Sequence, residues 1–460
     1  MARSICFRSA AMAFALAVSA TPAMAGTTTE LLKRLHEKGI LNDEEYDALL
    51  KEDAAQPAAS AGAEASWIDD KRLVRASESG VGFEVAGVTV KMSGSVNGFY
   101  VHDNGDTPSA TTTVVGGVAA VGGKSAAIRN GLLPGFLKFD ITTTQGGWDV
   151  GAHFGMYPGI NSAAWGTLGA NNGGQPTALA TAGIDFRQTY LTFGRKGFGE
   201  VKIGRDIGLF ASEQILNDIT LLSSGSPGGN VAPGNTTLGR IGVGYIYTDF
   251  QPQITYTTPA LGGFSASIGV FQPLSSLTGG TEVNSSTGYQ AKLVYDGKFG
   301  SVGTRLWLAG TTQKHKVVGG PNYTGSGFDT GAKITVGPVT LVGTYYNASG
   351  LGTTVLNLFD SDGLGNKRDS DGFYLQGLAT FGKFSFGGSY GESNLHFANS
   401  ADALANPALV KKNSSWVGQL RYGLNGWVTL LGEYVATTSN AHNGNEAQSD
   451  TVAAGAILFF

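Results

Sequence analysis

The sequence is poor in three features on which other classes of protein depend. It contains a single cysteine, Cys6, and only 14% of its 460 residues are charged, compared with about 25% in a typical soluble domain. Beyond residue 25, no apolar run approaches the ~20 residues that a membrane-spanning helix needs. A disulfide framework and a bundle of transmembrane helices are therefore both excluded.

The first 25 residues have the pattern of a secretory signal peptide. Arg3 and Arg8 precede an apolar stretch at 10–20, and Ala23–Ala25 forms a small-residue cleavage site. Removal of residues 1–25 would take Cys6 away and leave 29 basic against 35 acidic residues, a net charge of −6. We expect no nucleic-acid partner, because phosphate binding requires a clustered basic face.

Glycine is abundant where charge is scarce. The chain has 70 glycines, and 42% of its residues are hydrophobic. This composition favours strands whose outer faces meet hydrocarbon and whose crowded inner faces need small residues. A soluble solenoid or sandwich remains the alternative.

A short segment, residues 26–53, is predicted to be helical. Leucines recur there at helical spacing, Gly39 is a natural helix end, and Asn42 with Glu45 forms a capping box. Two helices this short are unstable alone in water, so we interpret the segment as a short helical oligomerisation segment that pairs with copies of itself. A loosely ordered charged tail is the alternative. Residues 54–80 are predicted to be a linker.

From residue 81 to residue 460 the pattern has a period of two, as in strands. Phe384, Phe386 and Gly388 share one face, while Lys383 and Ser385 share the other. Alternation alone does not separate a membrane barrel from a soluble sandwich. The last strand has an apolar face that ends at the final residue, and pairing it with the first strand would leave no free edge.

The connections between strands separate the two fold classes. Seven are short and eight are long, polar and rich in Gly, Asn and Ser, which is typical of a transmembrane β-barrel. Eight long loops and seven short turns require sixteen antiparallel strands. Residues 238–258 are counted as one long, bulged strand; eighteen strands are the alternative.

Four short motifs resemble the trimeric porins of Gram-negative bacteria. They are Phe186–Phe193, Gly204–Gly208, Gly239–Gly242 and the terminal Phe460. The resemblance implies an outer-membrane β-barrel, assembled as a homotrimer and surrounded by lipid and lipopolysaccharide. It also implies that the barrel assembly machinery reads Phe460 as an assembly signal. A leucine-rich segment similar to residues 26–53 precedes the barrel in some substrate-specific members, and this similarity implies a periplasmic helical or coiled-coil segment here.

In porins the third loop folds into the barrel and sets carboxylates opposite a ladder of basic side chains. By this resemblance, Glu213 and Asp218 are the candidate acids of the constriction, within the apolar stretch Phe210–Leu222. The candidate basic residues come partly from family position and partly from strand phase. They are Lys138, Arg187, Arg240, Lys292 and Arg421.

No catalytic or metal-binding pattern stands out. The six histidines are scattered without metal-ligand spacing, and no cofactor is implied. We therefore expect an outer-membrane channel for passive diffusion of small hydrophilic solutes and ions, narrowed by the third loop. A porin selective for small anions or organic acids is the first alternative. An enzyme or adhesin built on a barrel is the second.

Overall fold

The computed structural model describes Asp47 and residues 74–76, 80–160, 186–227, 236–278 and 281–460. The strands are β1 Val74–Ala76, β2 Val81–Val85, β3 Val88–Gly105, β4 Lys124–Arg129, β5 Phe136–Gln145, β6 Trp148–Met156, β7 Phe186–Arg195, β8 Gly199–Ile207, β9 Phe250–Thr257, β10 Phe264–Phe271, β11 Gly288–Phe299, β12 Val302–His315, β13 Tyr323–Val336, β14 Val339–Ser349, β15 Asp369–Phe381, β16 Phe384–Leu395, β17 Val410–Gly423, β18 Val428–Ala441 and β19 Glu446–Phe459. The helices are α1 Ser212–Asn217 and α2 Ser400–Ala405, and Ile219–Leu222 forms a 3₁₀ turn. Within these residues, no helix has the length and apolarity needed to cross a membrane.

The chain divides into two compact units, Met1–Val74 and Arg75–Phe460. The signal peptide and nearly all of the predicted helical segment and linker lie outside the described residues. Asp47 is described there, and it is helical and exposed. Strand β1 lies within residues 54–80, which the sequence predicts to be linker.

The second unit contains a closed antiparallel barrel of sixteen strands, which confirms the predicted fold class. Strands β4 and β5 pair with the upper and lower parts of the same edge of β3, so together they form one interrupted barrel strand. Each strand from β5 to β18 pairs with the next along the chain. The barrel closes where β19 pairs with β3, from Ser449 opposite Gly105 to Phe459 opposite Ser95. Strand β2 also pairs with β3, and β1 with β2, in addition to the sixteen.

The predicted rhythm of seven short turns and eight loops is present. The turns are 146–147, 196–198, 258–263, 300–301, 337–338, 382–383 and 424–427, and the loops are 106–123, 157–185, 208–249, 272–287, 316–322, 350–368, 396–409 and 442–445. The fifth and eighth loops are shorter than predicted, because their flanking strands extend further.

The single bulged strand predicted at 238–258 is wrong. Regular pairing begins only at Phe250, and Asp249 just before it has a φ of +60°. That left-handed backbone breaks the extended run, so residues 236–249 belong to the third loop.

The barrel has the reverse of a soluble protein's polarity. On β3, Val96 points outward with 61% of its surface exposed, whereas the next residue, Asn97, is 3% exposed. Large apolar side chains such as Phe386 and Trp416 are likewise exposed on the outer wall. Such an apolar band is stable only against hydrocarbon, as in outer-membrane barrels.

The terminal residue is part of the barrel closure. Phe460 exchanges two backbone hydrogen bonds with Gly94 on β3, at 3.0 and 3.1 Å. Its ring lies directly over Gly94, where a Cβ atom would overlap the ring. Glycine at this position therefore allows the last residue to seat against the first barrel strand.

Candidate functional site

The third loop (208–249) runs along the inner wall of the barrel. Its described residues hydrogen-bond to inward-pointing side chains on consecutive strands from β11 to β18, which are Lys292, Arg305, Asp329, Thr344, Gln376, Ser389, Gln419 and Glu433. Its apolar residues Phe210, Ile215 and Tyr245 pack into a buried cluster with Trp307 and Tyr374. The loop is therefore fixed against about half of the wall.

Helix α1 carries the first of the predicted acids. Ala211, which has a φ of +57°, precedes the helix, and Asp218 follows it in an extended conformation. Within the helix, Glu213 is 4% exposed and bonds to Arg305 through both carboxylate oxygens at 2.9 Å. Lys292 bonds to the same carboxylate at 3.2 Å. Two residues predicted to oppose each other across a throat, Glu213 and Lys292, are thus directly paired.

The second predicted acid, Asp218, is buried between the loop and the wall. Its carboxylate accepts hydrogen bonds from the backbone and hydroxyl groups of Thr220, at 2.9 and 2.7 Å, and from the hydroxyl of Tyr245 at 2.8 Å. Burial raises the pKa of Asp218, and the positive charge of Arg240 and these hydrogen bonds limit the rise. This carboxylate therefore organises the loop and does not face open water.

The sequence predicted that Arg240 points inward from a strand, and this prediction is wrong. The residue belongs to the third loop and is completely buried. Its guanidinium bonds to the hydroxyl of Ser389 and lies 5.6 Å from the ring of Tyr374. A Cβ atom on Gly391 would overlap the guanidinium. The loop approaches β16 closely because that strand carries glycine here.

Arg421 also contacts the loop. Its Nη2 donates to the carbonyl of Ile219 at 2.9 Å, and its Nε donates to Gln419 at 2.5 Å. The predicted inward direction of Arg421 and Lys292 agrees with these contacts. Both side chains are used to hold the loop.

The two remaining basic candidates meet in one cavity of about 360 Å³ on the opposite side of the loop. Lys138 on β5 and Arg187 on β7 line it together with Gln188 and Asp206. The Lys138 ammonium lies 5.0 Å from the ring of Phe136, and Arg187 lies 5.2 Å from that of Tyr157. Both side chains line this space with their charged groups over aromatic rings.

The position of Arg187 depends on an irregularity in pairing. Gly155 pairs with Gln188, but the next residue, Met156, pairs with Phe186, so the ladder skips Arg187. An extra residue of this kind redirects a side chain. As a result, Arg187 and its neighbour Gln188 both line the cavity, although adjacent strand residues normally point to opposite faces.

Two charged residues of this region were not predicted from the sequence. Asp206 is 3% exposed, accepts a 2.7 Å hydrogen bond from Gln188 and also binds Lys202. Arg305 could have been found from its place on the inward face of β12, two residues before the buried Trp307. Asp206 stands within the motif Gly204–Gly208, but the motif itself does not show that the carboxylate turns inward.

No group of three or more His, Cys, Asp or Glu side chains within the described part of the chain is arranged to hold a metal ion.

Comparison with known proteins identifies the family. The family model described as Gram-negative porin matches residues 53–443. The outer-membrane channel DcaP of Acinetobacter baumannii superposes with a TM-score of 0.61 at 16% identity, covering 82% of this chain and 99% of that one. The anion-selective porin of Comamonas acidovorans superposes with a TM-score of 0.53 at 17% identity, covering 81% and 100%. No curated protein matches the sequence significantly.

At these identities the two structures support the fold, and the family model carries the assignment. The relatives are channels rather than enzymes. The sixteen-stranded barrel, its apolar exterior and the family match over most of the sequence agree with one another. The chain therefore belongs to the Gram-negative porin family and forms a channel in the outer membrane.

Proposed function

We propose that the channel passes small hydrophilic solutes and ions passively, and that the third loop reduces its cross-section. The observation that carries this proposal is the course of the loop along the inner wall. The backbone N–H of Ala211 donates to Asp329 on β13, and that of Gly225 donates to Glu433 on β18. A loop fixed inside a barrel occupies space that would otherwise hold water. Diffusion down a gradient requires no cofactor.

Conductance tests this proposal directly. The mature protein, reconstituted into a planar lipid bilayer, should give stepwise increases in current in KCl. Deleting the described loop residues 209–222, which form α1 and the 3₁₀ turn, should raise the conductance of each step. Absence of current at high protein load would contradict passive diffusion. A step size that is the same in the deletion variant would contradict narrowing of the channel by the loop.

A channel that prefers small anions or organic acids is the second candidate. It is favoured by Lys138, which faces the cavity and has no carboxylate within ion-pair distance among the described residues. Asp206, which lines the same cavity, already binds Lys202. Reversal potentials in a KCl gradient distinguish this candidate from an unselective channel.

We also propose the assembly state and surroundings that the family resemblance implies. The working unit is a homotrimer embedded in lipid and lipopolysaccharide, and the assembly machinery recognises the strand that ends in Phe460. The exposed apolar outer wall and the seating of Phe460 on Gly94 support these proposals. The mass of the complex in detergent tests the trimer.

A further inference from the structure

The two walls of the 360 Å³ cavity differ in their chemistry. The wall formed by the third loop is mostly apolar, with Ile215, Leu216, Leu221, Leu238 and Ile241 facing the space, and its polar members are Thr236, Thr237 and Asp249. Leu216 is 53% exposed, although it lies on a loop inside the barrel. A path for purely hydrophilic solutes gains nothing from an exposed leucine, because water around it is unfavourable.

The opposite wall is polar and cationic. Lys138 and Arg187 lie there beside Gln188, whose amide oxygen accepts a 2.5 Å hydrogen bond from Tyr157 and whose amide nitrogen donates to Asp206. The charge of Asp206 is offset by Lys202, and Lys138 and Arg187 together outnumber the remaining carboxylate of the lining, Asp249. A solute in the cavity therefore meets positive charge on one side and leucine and isoleucine on the other.

From this arrangement we infer that the cavity is a transit binding site for organic monoanions, each a carboxylate joined to a short apolar body. The carboxylate lies at Lys138 and Arg187, and the body lies against Leu216 and Leu221. A second carboxylate at the far end would meet the apolar wall, where burying an unpaired charge is costly. The inference deepens the proposed channel function and rests on it.

The size of the cavity agrees with such a solute. A volume of 360 Å³ is at the lower end of the range of about 300–1,000 Å³ found for small-molecule sites. Transport requires that the solute also leave, so contacts must be weak. Ion contacts at one end only and a half-exposed apolar contact at the other satisfy that requirement.

Inhibition of ion current by small solutes tests the inference. Hexanoate, acetate and hexylammonium are added separately to the mature protein in a planar bilayer in KCl. Hexanoate should reduce the current at a concentration at least about tenfold lower than acetate, because its methylenes contact the loop wall. Hexylammonium should be as weak as acetate, because it has the apolar body but the wrong charge.

Paired variants assign the two contacts. In Leu216→Ser, hexanoate should reduce the current only at the concentration that acetate requires. In Leu404→Ser, both concentrations should be those of the wild-type protein. Leu404 is a matched control, since it is an exposed leucine on the other short helix and does not line the cavity. Lys138→Gln should weaken inhibition of the current by hexanoate and by acetate equally. Lys196→Gln, which changes a lysine in an exposed turn, should weaken neither inhibition.

Equal potency of hexanoate and acetate, or of hexanoate and hexylammonium, on a conducting channel would overturn the inference and leave the channel function intact. Hexanoate binding is measured separately on the protein in detergent by saturation-transfer NMR, which needs no current. Binding that disappears in Leu216→Ser would support the site even if the bilayer were silent. Absence of binding to the wild-type protein would overturn it.

Discussion

Arg305 binds Glu213 through two parallel hydrogen bonds of 2.9 Å, one from Nε to Oε2 and one from Nη2 to Oε1. This two-point geometry is the strongest that a guanidinium and a carboxylate can form. It joins residues 92 positions apart in the sequence. The acid that seemed suited to line a throat therefore anchors the third loop to the wall.

Glu213→Gln should loosen this anchor. Leaving Arg305 and Lys292 with a neutral partner removes a largely buried ion pair, at a cost of about 3 kcal/mol. We expect larger fluctuations of the open-channel current, measured in single-channel records. Asp296→Asn is the matched control, because Asp296 bonds to the same Arg305 but is 57% exposed. Equal noise in both variants would contradict the anchoring role.

The same anchor should respond to acid. Burial acts to raise the pKa of Glu213, but the hydrogen bonds and charges of Arg305 and Lys292 outweigh it and hold the pKa below its ordinary value of 4.5. A lowered folded-state pKa contributes stability above the ordinary value, and that stability is lost as the pH falls through the folded-state pKa. Current noise should therefore stay constant down to pH 4.5 and rise only below it. Noise that begins to rise near neutral pH would rule out Glu213 as its source.

Charge changes in the cavity should alter ion selectivity. Arg187→Glu should shift the reversal potential toward cations, because it replaces a cavity cation with an anion. Arg240→Gln should leave selectivity unchanged and lower thermal stability, since Arg240 is buried between the third loop, to which it belongs, and β16. Reversal potentials in a KCl gradient and melting in detergent measure the two effects. A selectivity change in Arg240→Gln would mean that the buried guanidinium influences the ion path.

The sixth and seventh loops are joined by a buried ion pair that should resist acid. Arg368 donates to both oxygens of Asp402, at 2.8 and 2.6 Å. Burial acts to raise the pKa of Asp402, but the hydrogen bonds from Arg368, Ala398 and Asn406 lower it to about 2. The contribution of this pair is complete above the ordinary value of 3.8 and is lost as the pH falls through about 2.

Arg368→Met should therefore open these two loops at neutral pH, because it leaves a carboxylate buried without its partner, at a cost of about 3 kcal/mol or more. Limited proteolysis of the purified barrel should show new cleavage in loops 350–368 and 396–409. The neighbouring Lys367→Met is the control, since Lys367 is exposed. If both variants resist cleavage equally, the pair does not hold the loops.

Phe460→Ser should reduce the amount of folded barrel in the outer membrane of expressing cells. The expected reason is loss of the terminal ring that seats on Gly94 and that the assembly machinery is proposed to recognise. Refolding of the purified variant into detergent should be affected much less. Phe384→Ser removes an exposed aromatic from β16 as a control. Equal losses of folded barrel in the two variants would show that Phe460 acts only as one of the aromatic residues at the membrane interface.

Deleting residues 27–66 should leave the barrel able to fold, because all sixteen of its strands lie within Arg75–Phe460. If the predicted helices promote oligomerisation, the shortened protein should dissociate at a lower detergent or urea concentration. Circular dichroism and native mass measurements follow the two properties. An unfolded product would show that the segment belongs to the structural core.

The amino-acid sequence is sufficient to derive the barrel itself. Period-two alternation places Phe384 and Phe386 on one face of their strand, and turn composition separates the strands into sixteen. Both signals are local, since a strand's faces depend only on residue parity and a turn depends on a few neighbouring residues. The error at 238–258 arose because Leu238–Tyr247 has strand-like alternation but is held in an irregular course by its packing inside the barrel.

The roles of the charged residues were decided by tertiary structure. Strand phase predicted that Lys138 and Lys292 point inward. The position of the third loop then decided their contacts: Lys138 faces a cavity, whereas Lys292 binds Glu213. Arg187 entered the same cavity through an irregularity that parity does not reveal. Local sequence determines which way a strand residue points, whereas its partner depends on where distant loop residues pack, and that packing is a property of the closed barrel as a whole.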